Sequence, residues 1–177
     1  MSRRYPKVEL LDWPAGTEPE GAPVFTHNDV TSTAAPEQVW RLLVRAADWP
    51  RWYPNSWSVL LPGGAVELSA EMIFAWTTFA TPITSRVTVF EPPHRLEWAW
   101  WRAGAHGYHR WSIAPEPAGG TRVVTEETHR GPTPTLLAPV LQPALSLSHE
   151  VWLRELARRA VPRRPQAESR GRMSAEP

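Results

Sequence analysis

The side chains best suited to acid–base chemistry are a histidine and a glutamate, His109 and Glu127, within the segment 106–131. The centre of this segment is rich in proline and glycine, and β-branched and aromatic residues flank it, a pattern that predicts a β-hairpin. If Ile113 pairs with Val123, so that the apolar faces match, His109 lies opposite Glu127. Directly opposed antiparallel residues have Cβ atoms about 4.5–5.5 Å apart. The sequence therefore predicts contact between an imidazole and a carboxylate.

The same register places Trp111 opposite Thr125 and puts His129 on the face of Glu127, because side chains alternate along a strand. A shift of two residues would keep these faces and change the partners. A shift of one residue would turn one face inside out. The sequence pattern therefore determines which residues share a face of the hairpin more firmly than it determines which residues pair across it.

A buried pair of His109 and Glu127 allows more than one interpretation. Desolvation disfavours a charged carboxylate and a nearby imidazolium favours it, so the pair can serve as general acid and base. The pair can equally be a structural hydrogen bond between two buried polar groups, or Glu127 can pair with an arginine. The catalytic and structural interpretations both stay open.

The set of His109, Glu127 and His129 has the composition of a two-histidine, one-carboxylate iron site. Its spacing argues against metal binding, because residues 127 and 129 are roughly 7 Å apart at a rise of about 3.4 Å per residue. We therefore expect no metal site. The sequence also contains no nucleophile elbow and no glycine-rich phosphate loop, so we expect no cofactor.

Composition bounds the class of protein. A chain of 177 residues suits one domain with a sizeable core, and a net charge of +1 gives no field that would attract nucleic acid. No run of about 18 apolar residues is present, so we expect no membrane insertion. The absence of cysteine excludes disulfides and thiolate chemistry. A cytoplasmic location is the simplest expectation, and composition leaves the oligomeric state undetermined.

The rest of the chain alternates as an antiparallel sheet requires and ends in a helix. A first helix is expected from Pro36, and a second from about Thr133, with Pro139 and Pro143 breaking or kinking its first part. Further strands are expected at 24–34, 57–61, 66–78, 82–89 and 96–100. We place the folded domain at residues 23–160, with an N-terminal arm at 1–22 and a disordered tail at 161–177.

Three stretches of the sequence resemble the START-like (SRPBCC) superfamily, in its polyketide cyclase/dehydrase-type branch. They are APEQVWRLLVRAADWPRWYP (35–54), VTVFEPPHRLEW (87–98) and HRWSIAPEPAGGTRVVTEETHRG (109–131). The resemblance implies an α+β helix-grip fold, in which a curved antiparallel sheet of six or seven strands wraps around a long C-terminal helix. It also implies a deep apolar cavity between sheet and helix.

In that architecture the dry faces of the strands and one stripe of the last helix point into the cavity. Eleven tryptophans are more than a core of this size needs, which indicates that some of them line the cavity, although each alone can equally fill the core. The implied ligand-contacting residues are Trp57, Phe74, Trp76, Trp98, Trp100, Trp111, Thr125, His129, Leu145, His149 and Trp152.

Two functions follow from the resemblance, because the superfamily contains both carriers and aromatase/cyclases. The protein either binds a hydrophobic, aromatic or polyketide-like molecule without changing it, or it cyclises or dehydrates such a molecule with His109 and Glu127 as acid and base. A module that binds a partner at the cavity mouth is a third possibility.

Overall fold

The computed structural model describes residues 13–162. Its strands are β1 (Val24–Ser32), β2 (Trp57–Leu60), β3 (Ile73–Thr78), β4 (Thr81–Glu91), β5 (Arg95–Arg102), β6 (Ala105–Pro115) and β7 (Thr121–Arg130). Its helices are α1 (Pro36–Val44) and α2 (Pro132–Ala160), with short 3-10 segments at Ala46–Arg51 and Pro62–Gly64. All neighbouring strands are antiparallel, in the order β1-β7-β6-β5-β4-β3-β2. The predicted α+β helix-grip fold is confirmed.

The hairpin of β6 and β7 has the register that the apolar faces predict. Ile113 pairs with Val123, and His109 pairs with Glu127. Gly107 lies in the same hairpin, opposite His129. A Cβ atom at position 107 would lie 2.0 Å from the Thr128 carbonyl oxygen and 2.6 Å from the Trp100 ring. Glycine is therefore required there, because it leaves room for the indole of Trp100.

The sequence predicts that Pro139 and Pro143 break or kink α2, and the structure shows that they do not break it, because the helix runs through both prolines. A proline cannot donate to the carbonyl four residues before it, which leaves the carbonyls of Thr135 and Pro139 without that bond. Both residues are exposed, so water can donate to these carbonyls instead. The second half of α2 buries Leu145, His149, Trp152 and other residues against the sheet.

The predicted strand 66–78 is shorter in the structure, because β3 begins only at Ile73. The N–H of Leu68 donates to the carbonyl of Val44, and the N–H of Ala47 donates to the carbonyl of Val66. These bonds hold the segment against the end of α1 instead of in the sheet. Of the alternating apolar residues there, Leu68 is buried, whereas Val66 and Ala70 are exposed.

The described part of the N-terminal arm lies against the sheet. Trp13 packs edge-on against Phe25 and Tyr108, and the Arg110 guanidinium carbon lies 4.6 Å from the Trp13 ring centroid. Residues 1–12 of the predicted arm and residues 163–177 of the predicted tail lie outside the described residues. Within residues 13–162, no helix is long and apolar enough to cross a membrane.

Trp49 lies at the centre of an aromatic core between the 3-10 segment and the concave face of the sheet. Its ring contacts Phe74, Trp76, Trp98 and Trp152 at centroid distances between 5.1 and 6.2 Å. Its indole N–H donates to the carbonyl of Leu43 at 2.9 Å. The segment 48–57, an aromatic corner with three tryptophans and one tyrosine, therefore places its first tryptophan in the core.

Replacing Trp98 with alanine should reduce the free energy of unfolding by about 3–5 kcal/mol, the usual cost of truncating a buried tryptophan. Trp98 is 0% exposed, whereas Trp57 on the edge strand β2 is 45% exposed. Trp57→Ala is the control, since exposed substitutions typically change stability by about 0.5 kcal/mol. Urea unfolding of the two variants measures the difference. Equal losses would contradict this description of the core.

Candidate functional site

The carboxylate of Glu127 is surrounded by three histidines from β6, β7 and α2. Its Oε2 atom lies 3.0 Å from Nε2 of His149 and 3.5 Å from Nδ1 of His109. Its Oε1 atom lies 3.3 Å from Nε2 of His129. All four side chains are buried. The predicted approach of His109 to Glu127 is present, but the hydrogen bond to the carboxylate comes from His149.

The residues at positions 127 and 129 meet although their backbones are two residues apart. The rise along the strand separates the two backbone positions by roughly 7 Å, but the long side chains approach each other at their tips, to 3.3 Å. The ligand atoms of His109, Glu127 and His149 also lie within 4.8 Å of one another. His129 is not in this group, so the structure shows contact between His129 and Glu127 but no convergence of the predicted set of His109, Glu127 and His129.

Two threonine hydroxyls hold the far nitrogens of two histidines. Nε2 of His109 lies 2.7 Å from Oγ1 of Thr125, and Nδ1 of His149 lies 3.0 Å from Oγ1 of Thr26. Both threonines are buried. These contacts fix the ring orientations, so the other nitrogen of each ring faces Glu127. Thr26 was not predictable from the sequence, because its partner His149 lies on α2, far along the chain.

The pKa values of His109 and Glu127 are both lowered, for different reasons. Burial lowers the pKa of His109 to about 3, so its imidazole is neutral at neutral pH. Burial raises the pKa of Glu127. The charge of the surrounding histidines and their hydrogen bonds lower it by more, so the net pKa is well below the usual range. The cluster therefore contains an ionised carboxylate beside a neutral imidazole.

A cavity of about 70 Å³ lies between the sheet and α2, next to the cluster. Seven of the predicted site residues line it, and they come from β3, β5, β7 and α2: Trp76, Trp100, Glu127, His129, Leu145, His149 and Trp152. The sequence missed Tyr53, Phe79 and Arg102, which also line it. Tyr53 lies in the aromatic corner, which was the one signal available for it.

The other predicted site residues do not line this cavity. Phe74, Trp98 and Trp111 are buried in the core, because other side chains cover their part of the concave face. Thr125 is fully buried behind His109, and His109 itself lies behind Glu127. Trp57 lies on the edge strand and is exposed, so its predicted place in the cavity is wrong.

The rim of the cavity is held by one amide side chain. Nδ2 of Asn55 donates to Oγ of Ser148 on α2 at 2.9 Å and to Oγ1 of Thr78 on β3 at 3.0 Å. Its Oδ1 atom accepts the N–H of Phe79 at 2.8 Å. Asn55 thus links the β3–β4 turn to α2 across the cavity.

Fold and site together define a helix-grip protein with an apolar cavity that has a buried polar cluster beside it. The chain belongs to the polyketide cyclase/dehydrase and lipid transport family, whose sequence model matches residues 26–161. This confirms the resemblance to the SRPBCC superfamily. No curated protein matches the sequence significantly. Family membership supports a role in binding or cyclising a hydrophobic molecule.

Solved structures show the same fold. The hypothetical protein jhp0584 from Helicobacter pylori is 23% identical, with a TM-score of 0.81 over 89% of this chain and 99% of its own. The di-domain ARO/CYC StfQ from the steffimycin biosynthetic pathway is 15% identical, with a TM-score of 0.65 over 77% of this chain and 50% of its own. The di-domain ARO/CYC BexL from the BE-7585A pathway is 19% identical, with a TM-score of 0.58 over 77% of this chain and 48% of its own.

Removing any member of the cluster should leave the remaining side chains without one of their buried polar contacts. Leaving a buried donor or acceptor unsatisfied typically costs about 1–3 kcal/mol, and more for a charged group, so Glu127→Ala, His109→Ala and His149→Ala should each clearly destabilise the protein. Each double variant that includes Glu127→Ala should cost less than the sum of its two single variants. Urea unfolding of the singles and doubles gives the coupling free energies.

The exposed pair of His27 and Glu126 is the matched control, with Nδ1 2.9 Å from Oε1. Its coupling should stay within the range of about 0.2–1 kcal/mol typical of surface pairs. Additive effects within the buried cluster would show that its side chains do not interact as the structure has them.

Proposed function

We propose that this protein binds a hydrophobic, aromatic or polyketide-like molecule that carries a carbonyl oxygen, in the cavity between the sheet and α2. One observation carries the proposal. The indole N–H groups of Trp100 and Trp152 are buried without a hydrogen-bond partner, and both residues line the cavity. A ligand that offers an acceptor oxygen would satisfy donors that are otherwise costly to bury.

The aromatic lining suits a flat ligand. Tyr53 and Trp152 stack at a centroid distance of 4.2 Å and an interplanar angle of 12°, and Trp76 and Trp100 complete the apolar lining. Offset and edge-on contacts of rings add to the free energy of simple burial. Apolar walls with few polar groups are typical of small-molecule sites.

The volume of the cavity limits the size of the ligand. About 70 Å³ is far below the range of about 300–1,000 Å³ typical of ligand pockets. A ligand of several rings therefore requires the mouth to widen, between the β3–β4 turn that carries Phe79 and the part of α2 that carries Leu141. A molecule of one or two rings requires smaller movements of the same residues.

Thr81→Trp should weaken the binding of 1-tetralone, a bicyclic aromatic ketone, at least about tenfold, because Thr81 lines the cavity. Thr84→Trp is the matched control, since Thr84 lies on the same strand and alternates to the other face. Tryptophan fluorescence quenching measures both affinities, with thermal melts to confirm folding. Equal affinities in the two variants would place the binding site elsewhere.

The carbonyl oxygen itself can be tested with tetralin, which has the same ring skeleton without the oxygen. One neutral hydrogen bond contributes about 1 kcal/mol, which corresponds to roughly fivefold in affinity. Wild-type protein should therefore prefer 1-tetralone to tetralin by about that factor. Equal affinities for the two compounds would contradict the role proposed for the indole donors.

Catalysis is the second candidate function, and the observation that favours it is the place of Glu127, an ionised carboxylate that lines the cavity. As general base, Glu127 would take a proton from a carbon next to a ketone group of a bound polyketone. That carbon would form a bond to a second carbonyl carbon of the chain. The two protons that the attacking carbon loses in all would be returned through histidines of the cluster to the second carbonyl oxygen, which leaves as water. His109 lies behind Glu127, so its part would be to orient the carboxylate.

Glu127→Gln separates a cyclase from a carrier. The amide keeps the shape of the side chain but cannot accept a proton, so a cyclase should still bind 1-tetralone and lose the dehydrative cyclisation of 2,6-heptanedione, followed by enone absorbance. Thr84→Trp serves again as the control that should retain turnover. Wild-type protein that binds ketones without accelerating this reaction would support the carrier alone.

A further inference from the structure

Three ligand atoms of the buried cluster converge on one point. Nδ1 of His109, a carboxylate oxygen of Glu127 and Nε2 of His149 lie within 4.8 Å of one another. A tetrahedral divalent ion with bonds of about 2.0–2.2 Å holds its ligand atoms roughly 3.3–3.6 Å apart, and the two histidine nitrogens lie 3.0 and 3.5 Å from Oε2 of Glu127. Small rotations of the rings therefore bring all three atoms into one coordination sphere.

We propose that this cluster is a site for a first-row divalent transition-metal ion such as Zn²⁺ or Fe²⁺, held by His109, Glu127 and His149. Imidazole nitrogen together with one carboxylate is a ligand set that suits these ions. The proposal does not depend on which small molecule occupies the cavity.

The hydrogen bonds of the cluster are incomplete without an ion. Of the three histidine nitrogens that face the carboxylate, only Nε2 of His149 makes a hydrogen bond to it. Nδ1 of His109 is too distant at 3.5 Å, and Nε2 of His129 is buried without a hydrogen-bond partner, although it lies 3.3 Å from Glu127. A metal ion would engage the lone pair of His109 Nδ1, which makes no hydrogen bond to Glu127.

The far nitrogens of both proposed histidine ligands are already oriented. Thr125 contacts Nε2 of His109, and Thr26 contacts Nδ1 of His149. Metal-bound histidines usually donate their other ring N–H to such an acceptor, which fixes both the tautomer and the ring orientation. In that tautomer each histidine would direct a lone pair to the ion, and the proton through which Nε2 of His149 donates to Glu127 without the ion would reside on Nδ1, next to Thr26.

A second buried glutamate on the same sheet shows how this protein otherwise compensates such a charge. Glu97 is paired with Arg95 at 2.9 Å and with Arg110 at 3.3 Å, and it accepts a hydrogen bond from Tyr108. In the described part of the chain, the ion pairs of Glu127 involve histidines alone. A divalent ion would supply the missing positive charge.

The open side of such an ion would face the cavity. Glu127 and His149 line the cavity, whereas His109 is fully buried behind them. Three protein ligands leave at least one coordination position free. That position would accept an oxygen atom of water or of a bound molecule, and His129 at the cavity wall would lie beside it.

The proposal is tested with Co²⁺ as the probe, added to full-length protein that was first treated with a chelator. Wild-type protein should bind one Co²⁺ per chain and develop visible absorption bands, which Zn²⁺ should displace. Glu127→Gln and His149→Gln should each weaken Co²⁺ binding at least about 100-fold. Thr26→Val should weaken it by about 10–100-fold, as removal of a supporting partner does.

His27→Gln is the matched control, because it removes a histidine–glutamate pair at the surface and should leave Co²⁺ binding unchanged. Circular dichroism of each variant verifies that it is folded. Absence of visible bands in wild-type protein, or Co²⁺ binding that survives His149→Gln in a folded variant, would overturn the proposal. Binding of 1-tetralone to the chelator-treated protein is measured separately, so its outcome does not affect this one.

Discussion

The burial of one carboxylate is the constraint on which the site depends. Glu127 lies inside the domain, where an ionised group is costly unless it is paired or hydrogen-bonded. Three histidines supply those contacts, and they come from two strands and a helix. The β6–β7 register and the packing of α2 on the sheet are thereby tied to the same carboxylate. A shift of either element would leave the charge without its partners.

The aromatic core explains why this carboxylate is largely shielded from water, with 7% of Glu127 exposed. Trp98 and Trp111 pack against the ring of His109, and Trp152 on α2 lies between the core and the cavity. Low dielectric strengthens every electrostatic interaction in the cluster. It also makes each unsatisfied donor costly, which is why the unpartnered indole groups of Trp100 and Trp152 point to a ligand with an acceptor oxygen.

The hairpin was predictable because its turn and its apolar faces specify both the register and the meeting of His109 with Glu127. The partnership of His149 with Glu127 was not, since no local periodicity encodes which strand residue a helix residue will meet. Strand parity also shows which face a tryptophan occupies, but not whether a cavity or another side chain covers it. That is why the sequence assigned Trp98 to the cavity, although it lies in the core.

A crystal structure of the protein with 1-tetralone is the most direct test of ligand binding in the cavity between the sheet and α2. We expect the ketone to lie between the sheet and α2, in contact with Tyr53 and Trp76. Its oxygen should lie within hydrogen-bonding distance of the indole N–H of Trp100 or Trp152. The residues of the β3–β4 turn should move outward relative to the unliganded structure. A ketone bound only at the outer surface, with the cavity unchanged, would show that the cavity is not the ligand site.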